Sequence, residues 1–258
     1  MEPCPHEFID FAHRLADAGG EVLRRAFRKP IPVEEKEDLS PVSTADLECE
    51  RLLRERIEAA YPEHGITGEE FPPVREEAEY VWLIDPIDGT KSFLTGKPMF
   101  GLLIALARRG RFILGLIDQA ILRDRWVGAD GHGTLLNGEK VTVRACPSLD
   151  EAVLYTVGPD DYAQADYPAM APVRKAVKWV QYGAECYAYG LLAMGLVDLI
   201  VDADLDDHDF AALEPIVRNA GGVMSDWQGR PLIVGGYGRV IAAGDKALHA
   251  QALDLLGG

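Results

Sequence analysis

The 258-residue sequence predicts a mixed fold, α+β in its first part and layered α/β in its second. Three observations predict it. Residues 8–61 hold two stretches with apolar side chains at helical spacing, residues 81–143 hold a series of short β-rich runs, and from Ala152 onward strand-like and helix-like segments alternate. The change of pattern places a boundary near residue 147, giving subdomains 1–147 and 148–258.

Phe8, Phe11, Leu15, Val22 and Leu23 recur at helical spacing and predict an amphipathic helix that stops near Pro30 and Pro32. A polar loop, EEKEDLSP, comes next. A second helix is predicted from Ser43 or Thr44, either a suitable cap, burying Leu47, Leu52, Leu53 and Ile57 and ending at Pro62. After a loop containing GEE, the runs VWLID, LLIALA, RFILGLID and DRWVGA read as strands, and Asn137-Gly138 marks a hairpin. The second half reads as strand (AVLYTV), helix (YPAMAPVRKAV), helix (ECYAYGLLAMG), strand (VDLIVD), helix (DFAALEPIVRNAG), strand and terminal helix. Pro215 conflicts with the helix assigned to it, because proline has no amide proton to donate.

With 48% hydrophobic and 26% charged residues, the composition is that of a globular protein. The net charge of −16 argues against nucleic-acid backbones and anionic membranes as partners, so an anionic substrate needs cations as intermediaries. The longest apolar run, Phe100–Ala107, is too short to cross a bilayer, and the acidic start is unlike a signal peptide, so a cytoplasmic location is expected. Cys4, Cys49, Cys146 and Cys186 form no CxxC pair, which predicts reduced thiols rather than a zinc site or disulfide framework.

The stretch VWLIDPIDGT puts Asp85 and Asp88 at the end of an apolar run, where Pro86 restricts the turn and Gly89 lets backbone approach a ligand. Two close carboxylates repel unless something positive lies between them. An acidic β-turn is the plain alternative. An EF-hand loop is excluded, since DPIDGTKSFLTG lacks most of the required ligands. Glu69 and Glu70 form a further acid pair, Asp46 falls in the first turn of the second helix, and Asp209 stands at the start of DFAALEPIVRNAGG. Each has an ordinary reading as solvated loop, helix-terminus charge or N-cap; their joint occurrence is what those readings explain poorly.

KEDLSPVSTAD, GEE, DPIDGT and the aspartate followed by Gly221-Gly222 together resemble the inositol monophosphatase family of lithium-sensitive, magnesium-dependent phosphatases. The resemblance implies an αβαβα layered sandwich of two subdomains. It also implies that Glu69, Asp85 and the Ile87 carbonyl hold one Mg²⁺, that Asp85, Asp88 and Asp209 hold a second, and that Glu69 and Glu70 lie near a third. All-oxygen ligation suits magnesium better than zinc. A pair of ions about 4 Å apart clamps the attacking and leaving oxygens of an in-line displacement. In the implied mechanism Glu69 and Thr90 hold the attacking water, Asp46 orients the Thr90 hydroxyl or takes its proton, and the Gly89 and Thr90 amides hold phosphate oxygens, with no covalent phosphoenzyme. The resemblance also implies a homodimer.

This chain departs from the family pattern at His208, where tryptophan is usual, and at Ser43, where threonine is. The first change bears on the substrate wall, where His208 either contacts phosphate or packs. The segment ECYAY resembles the histidinol-phosphate phosphatase branch and carries Glu185 to the substrate's cationic amine. A small phosphate monoester is therefore the expected ligand, histidinol phosphate first and inositol phosphate or another small polyol phosphate second. A non-catalytic scaffold that binds metal and phosphate is the alternative from another class.

Overall fold

The structure is a computed structural model and describes residues 2–35, 41–162, 165–236 and 238–257. Residues 36–40 of the predicted polar loop lie outside the described residues. The chain begins with α1 (His6–Ala26), the antiparallel ribbon β1 (Val33–Glu35) and β2 (Pro41–Ser43), and α2 (Thr44–Ala60). A seven-stranded sheet follows, ordered as in the sequence: β3 (Gly65–Gly68), β4 (Tyr80–Asp88), β5 (Gly101–Arg108), β6 (Arg111–Gln119), β7 (Asp124–Ala129), β8 (Gly133–Leu136) and β9 (Glu139–Val141), with the short α3 (Thr90–Leu94) after β4. Within this sheet, among the described residues, only β3 and β4 pair in parallel.

The second half supplies β10 (Val153–Thr156), α4 (Asp166–Ala169), α5 (Ala171–Ala176), β11 (Trp179–Tyr182), α6 (Glu185–Ala193), β12 (Leu199–Leu205), α7 (Asp207–Phe210), α8 (Leu213–Asn219), β13 (Val223–Asp226), β14 (Gly238–Ala243) and α9 (Lys246–Leu256). Its five strands run in the order β11-β10-β12-β14-β13.

Strand alternation explains the layering. In β4, Trp82 and Ile84 face one way and join Phe8, Phe11, Leu15 and Leu53 of α1 and α2. Val81 and Leu83 face the other way and join Leu192 of α6 and Leu213 and Ile216 of α8. The same middle cluster takes Ile200, Val240 and Ala242 from the five-stranded sheet. The opposite residues of those strands, Leu199, Val201, Ile241 and Ala243, meet Val173 of α5 and Leu248 and Ala252 of α9. Helices thus cover both sheets on both faces, the αβαβα sandwich.

Several elements differ from the sequence prediction for local reasons. Leu47 and Leu52 of α2 are only half-buried, while Asp46 and Glu50 are fully buried, so the inward face of this helix is partly acidic. The helix predicted across residues 209–221 is two helices, α7 and α8, and Pro215 falls in the first turn of α8, where an amide proton has no intrahelical acceptor. The helix expected at 167–177 is likewise divided into α4 and α5. Strands β3 and β11 carry too little periodicity to be read from four residues each. The hairpin β8–β9 turns at Asn137 and Gly138, with φ of 51° and 86°, as the dipeptide predicts. All four cysteines are free and buried.

Candidate active site

Asp85 and Asp88 stand an odd number of residues apart, so a regular strand would point them to opposite faces. The structure solves this with a bulge rather than the turn expected after Asp85. Asp85 pairs with Leu103 and Asp88 with Gly101, leaving one extra residue on β4. Both carboxylates then point to the same side, and β4 continues through Asp88. The Asp85 side chain also folds back to accept the Ile87 amide at 2.9 Å.

The remaining acids arrive from three directions. β3 runs parallel to β4 with Gly68 opposite Ile84, so Glu69 leaves the sheet beside Asp85 and shares a hydrogen bond with it. Asp46 comes from α2, where Ser43 is the N-cap and Asp46 completes a capping box by accepting the Ser43 amide at 2.8 Å and its hydroxyl at 2.5 Å on Oδ2. The other oxygen, Oδ1, is buried and has no hydrogen-bond partner. Asp209 comes from the far sheet: a bulge between Asp202 and Leu205 ends β12, and α7 follows. Asp206 rather than Asp209 is its N-cap, and Asp209 holds the third helical position, accepting the Asp206 amide at 2.8 Å. One carboxylate oxygen from each of Asp85, Asp88 and Asp209 lies within 4.8 Å of the other two.

Burial and mutual repulsion raise these acids together. Burial, then Glu69, Asp88 and Asp209, push Asp85 well above the ordinary carboxylate value. Burial and Asp209 raise Asp88 to about 7, and burial chiefly raises Asp209 to about 6. Among the described residues no lysine or arginine forms an ion pair with Asp46, Asp85 or Asp88. Hard oxygen donors gathered at one place are the donor chemistry of a divalent-cation site. The clustered carboxylates of Asp85, Asp88 and Asp209 fit such an ion.

Next to the acids lies a cleft of about 270 Å³, lined in part by Glu69, Gly89, Thr90, Lys91, Val157, Gly158 and Glu185. Gly89, at φ 88°, caps α3, and a side chain there would strike Glu185 at 2.8 Å. The Thr90 hydroxyl donates to the Ile87 carbonyl at 3.1 Å, so Asp46 and Thr90 are not joined in this conformation. Glu185 begins α6, and both it and its N-cap Ala184 are non-glycine residues in left-handed backbone, at φ 45° and 106°. Such strain costs about 1–3 kcal/mol per residue and collects at functional sites. Its carboxylate lies within hydrogen-bonding reach of the Ser92 hydroxyl at 2.5 Å, and the Cys186 amide donates to Asp88 at 2.6 Å. His208 sits 3.4 Å from Asp209 and is not among the residues lining the cleft. Tyr187 and Tyr189 are engaged elsewhere, with Asp124 at 2.7 Å and Asp202 at 2.8 Å.

A family model described as the inositol monophosphatase family matches residues 5–257. The chain belongs to that family. Bifunctional phosphatase IMPL2, chloroplastic, of Arabidopsis thaliana is 46% identical over 96% of this chain and 75% of its own length. A histidinol-phosphatase of Chlorobaculum parvum is 35% identical over 91% of each chain. Among solved structures, an inositol monophosphatase from Zymomonas mobilis superimposes with a TM-score of 0.90 at 43% identity, covering 98% of both chains. As a member of the inositol monophosphatase family the chain is a phosphoric monoester hydrolase, which sets aside the scaffold reading. No helix among the described residues is long and apolar enough to cross a membrane.

Sequence reasoning missed three groups around this site: Glu50, Ser92 and the Cys186 amide. Glu50 had a readable signal, since it follows Asp46 by one helical turn and shares its face. Ser92 and the Cys186 amide had none, because their partners are 93 and 98 residues away along the chain.

Proposed function

We propose that the chain is a Mg²⁺-dependent histidinol-phosphate phosphatase acting by direct attack of water. The observation that carries this reading is the placement of Glu185, which lines the same cleft as Glu69, Gly89 and Thr90. A substrate whose phosphate rests at Gly89 and Thr90 brings a neighbouring ammonium group to a carboxylate held in place by Ser92. The histidinol-phosphatase relative at 35% identity supports the same choice. The inositol monophosphatase structure at 43% identity supports a second reading, a polyol phosphate as substrate.

Glu69, Asp85, Asp88, Asp209, the Ile87 carbonyl and Glu70 are the groups that would hold two or three Mg²⁺ ions. Bound there, the ions supply Lewis acidity and a lowered water pKa. The chain's own residues do the rest. Glu69 and Thr90 hold the attacking water, and the Gly89 and Thr90 amides hold the phosphate oxygens. The Thr90 hydroxyl has to leave the Ile87 carbonyl and turn to the free Oδ1 of Asp46, which then orients it or takes its proton. The Cys186 amide keeps Asp88 aimed at the cluster. We further propose a homodimer whose ligand is this small monoester.

Phosphate release from a panel of monoesters with Mg²⁺ tests the proposal. Histidinol phosphate should be hydrolysed fastest; a higher kcat/KM for inositol phosphate moves the assignment to the second reading. Asp88→Asn should lower turnover about 100-fold or more at unchanged fold. Near-normal turnover in that variant would remove Asp88 from the machinery.

A further inference from the structure

Glu50 is 0% exposed, yet it is a carboxylate on a helix whose outer face is open to water. Burying such a group costs several kcal/mol unless hydrogen bonds and a counter-charge offset it. Here they do. Oε2 accepts the Glu70 amide at 2.8 Å, and Oε1 accepts the Phe71 amide at 3.2 Å. Arg54, one turn further along α2, donates to Oε1 at 2.7 Å and reaches past it to the Phe71 carbonyl at 2.7 Å and the Pro72 carbonyl at 3.1 Å. The pair therefore grips the backbone of residues 70–72 on both its donors and its acceptors. Gly68 packs against the same carboxylate so closely that a Cβ would stand 2.3 Å from Oε1.

The gripped segment is the one from which Glu69 and Glu70 project, and α2, which does the gripping, also carries Asp46. We propose that Glu50, assisted by Arg54, is a positioning residue that presets the Glu69–Glu70 loop for divalent-cation binding. The proposal rests on the reading of Glu69 and Glu70 as Mg²⁺ ligands. Without the clamp the loop backbone is free to sample other conformations, and the cost of ordering it falls on ion binding. Residues that orient metal ligands typically contribute 10- to 100-fold to affinity. Once Mg²⁺ saturates, the ligands are in place and the chemical step is little altered.

Glu50→Gln keeps the volume but turns an NH₂ toward an amide or guanidinium donor, and Arg54→Met removes the carbonyl contacts while leaving the carboxylate. Calorimetric titration with Mg²⁺ in the absence of substrate should show affinity weakened about 10-fold in both. The KM for Mg²⁺ should rise in parallel, with kcat at saturating Mg²⁺ within about 3-fold of wild type. Should Glu50→Gln fail to fold, Arg54→Met decides. Wild-type affinity in a folded variant, even with a lowered Tm in chelator, overturns the positioning role and leaves the metal reading intact. Failure of the wild-type protein to bind Mg²⁺ overturns both.

Discussion

Glu185 combines a local structural role with the recognition role proposed for it. It opens α6 and lines the same cleft as Gly89 and Thr90. Hydrogen bonds to a charged group are worth about 1.5–3 kcal/mol. Glu185→Gln should therefore lower kcat/KM for histidinol phosphate by about 10- to 100-fold while sparing inositol phosphate. Equal losses on both substrates would falsify its role in selection. At this scale much of the site was legible, because Asp46, Glu69, Asp85, Asp88 and Asp209 are hard donors whose chemistry does not depend on fold. Glu50 was legible as a neighbour of Asp46 on one helix face but not as a clamp, since the amides it accepts lie 20 and 21 residues away along the chain.

At the scale of elements, two small devices place the site. The extra residue in β4 turns Asp88 to the side of Asp85, and the irregularity in β12 turns the chain into α7. A third lets α8 approach the sheet. Gly115 and Gly128 are cross-strand partners on β6 and β7, and a Cβ on either would meet backbone of α8 or its N-cap, 2.0 Å from the Ala212 carbonyl oxygen or 2.4 Å from the Ile216 Cα. Gly115→Ala should destabilise by ~3 kcal/mol in urea denaturation, because backbone on both sides has to shift. A loss under ~0.5 kcal/mol would mean that α8 yields freely. Element types were readable wherever the apolar period was long, as in α1 and β4–β7. The division of α7 from α8 was readable only as the conflict at Pro215.

Considered whole, the molecule gathers acids from both of its sheets: Glu69, Asp85 and Asp88 adjoin the seven-stranded one, and Asp209 follows β12 of the five-stranded one. An ion held between them would tie the two halves together and bind only the folded chain. Saturation at 100 times the Kd should add ~2.7 kcal/mol, raising Tm by roughly 5–10 °C relative to a chelator. Calorimetry with and without EDTA checks this, and an unchanged Tm counts against an ion at the cluster.

By itself the sequence determined the donor chemistry, the strand–helix alternation and, through its combined motifs, the family, because side-chain identity and apolar period are local properties. Only the tertiary structure decided which acids face one another, which of them are raised by that proximity, and which carboxylate holds a loop instead of an ion. Those depend on distances between residues far apart in the chain, and a bulge of a single residue is enough to reverse them.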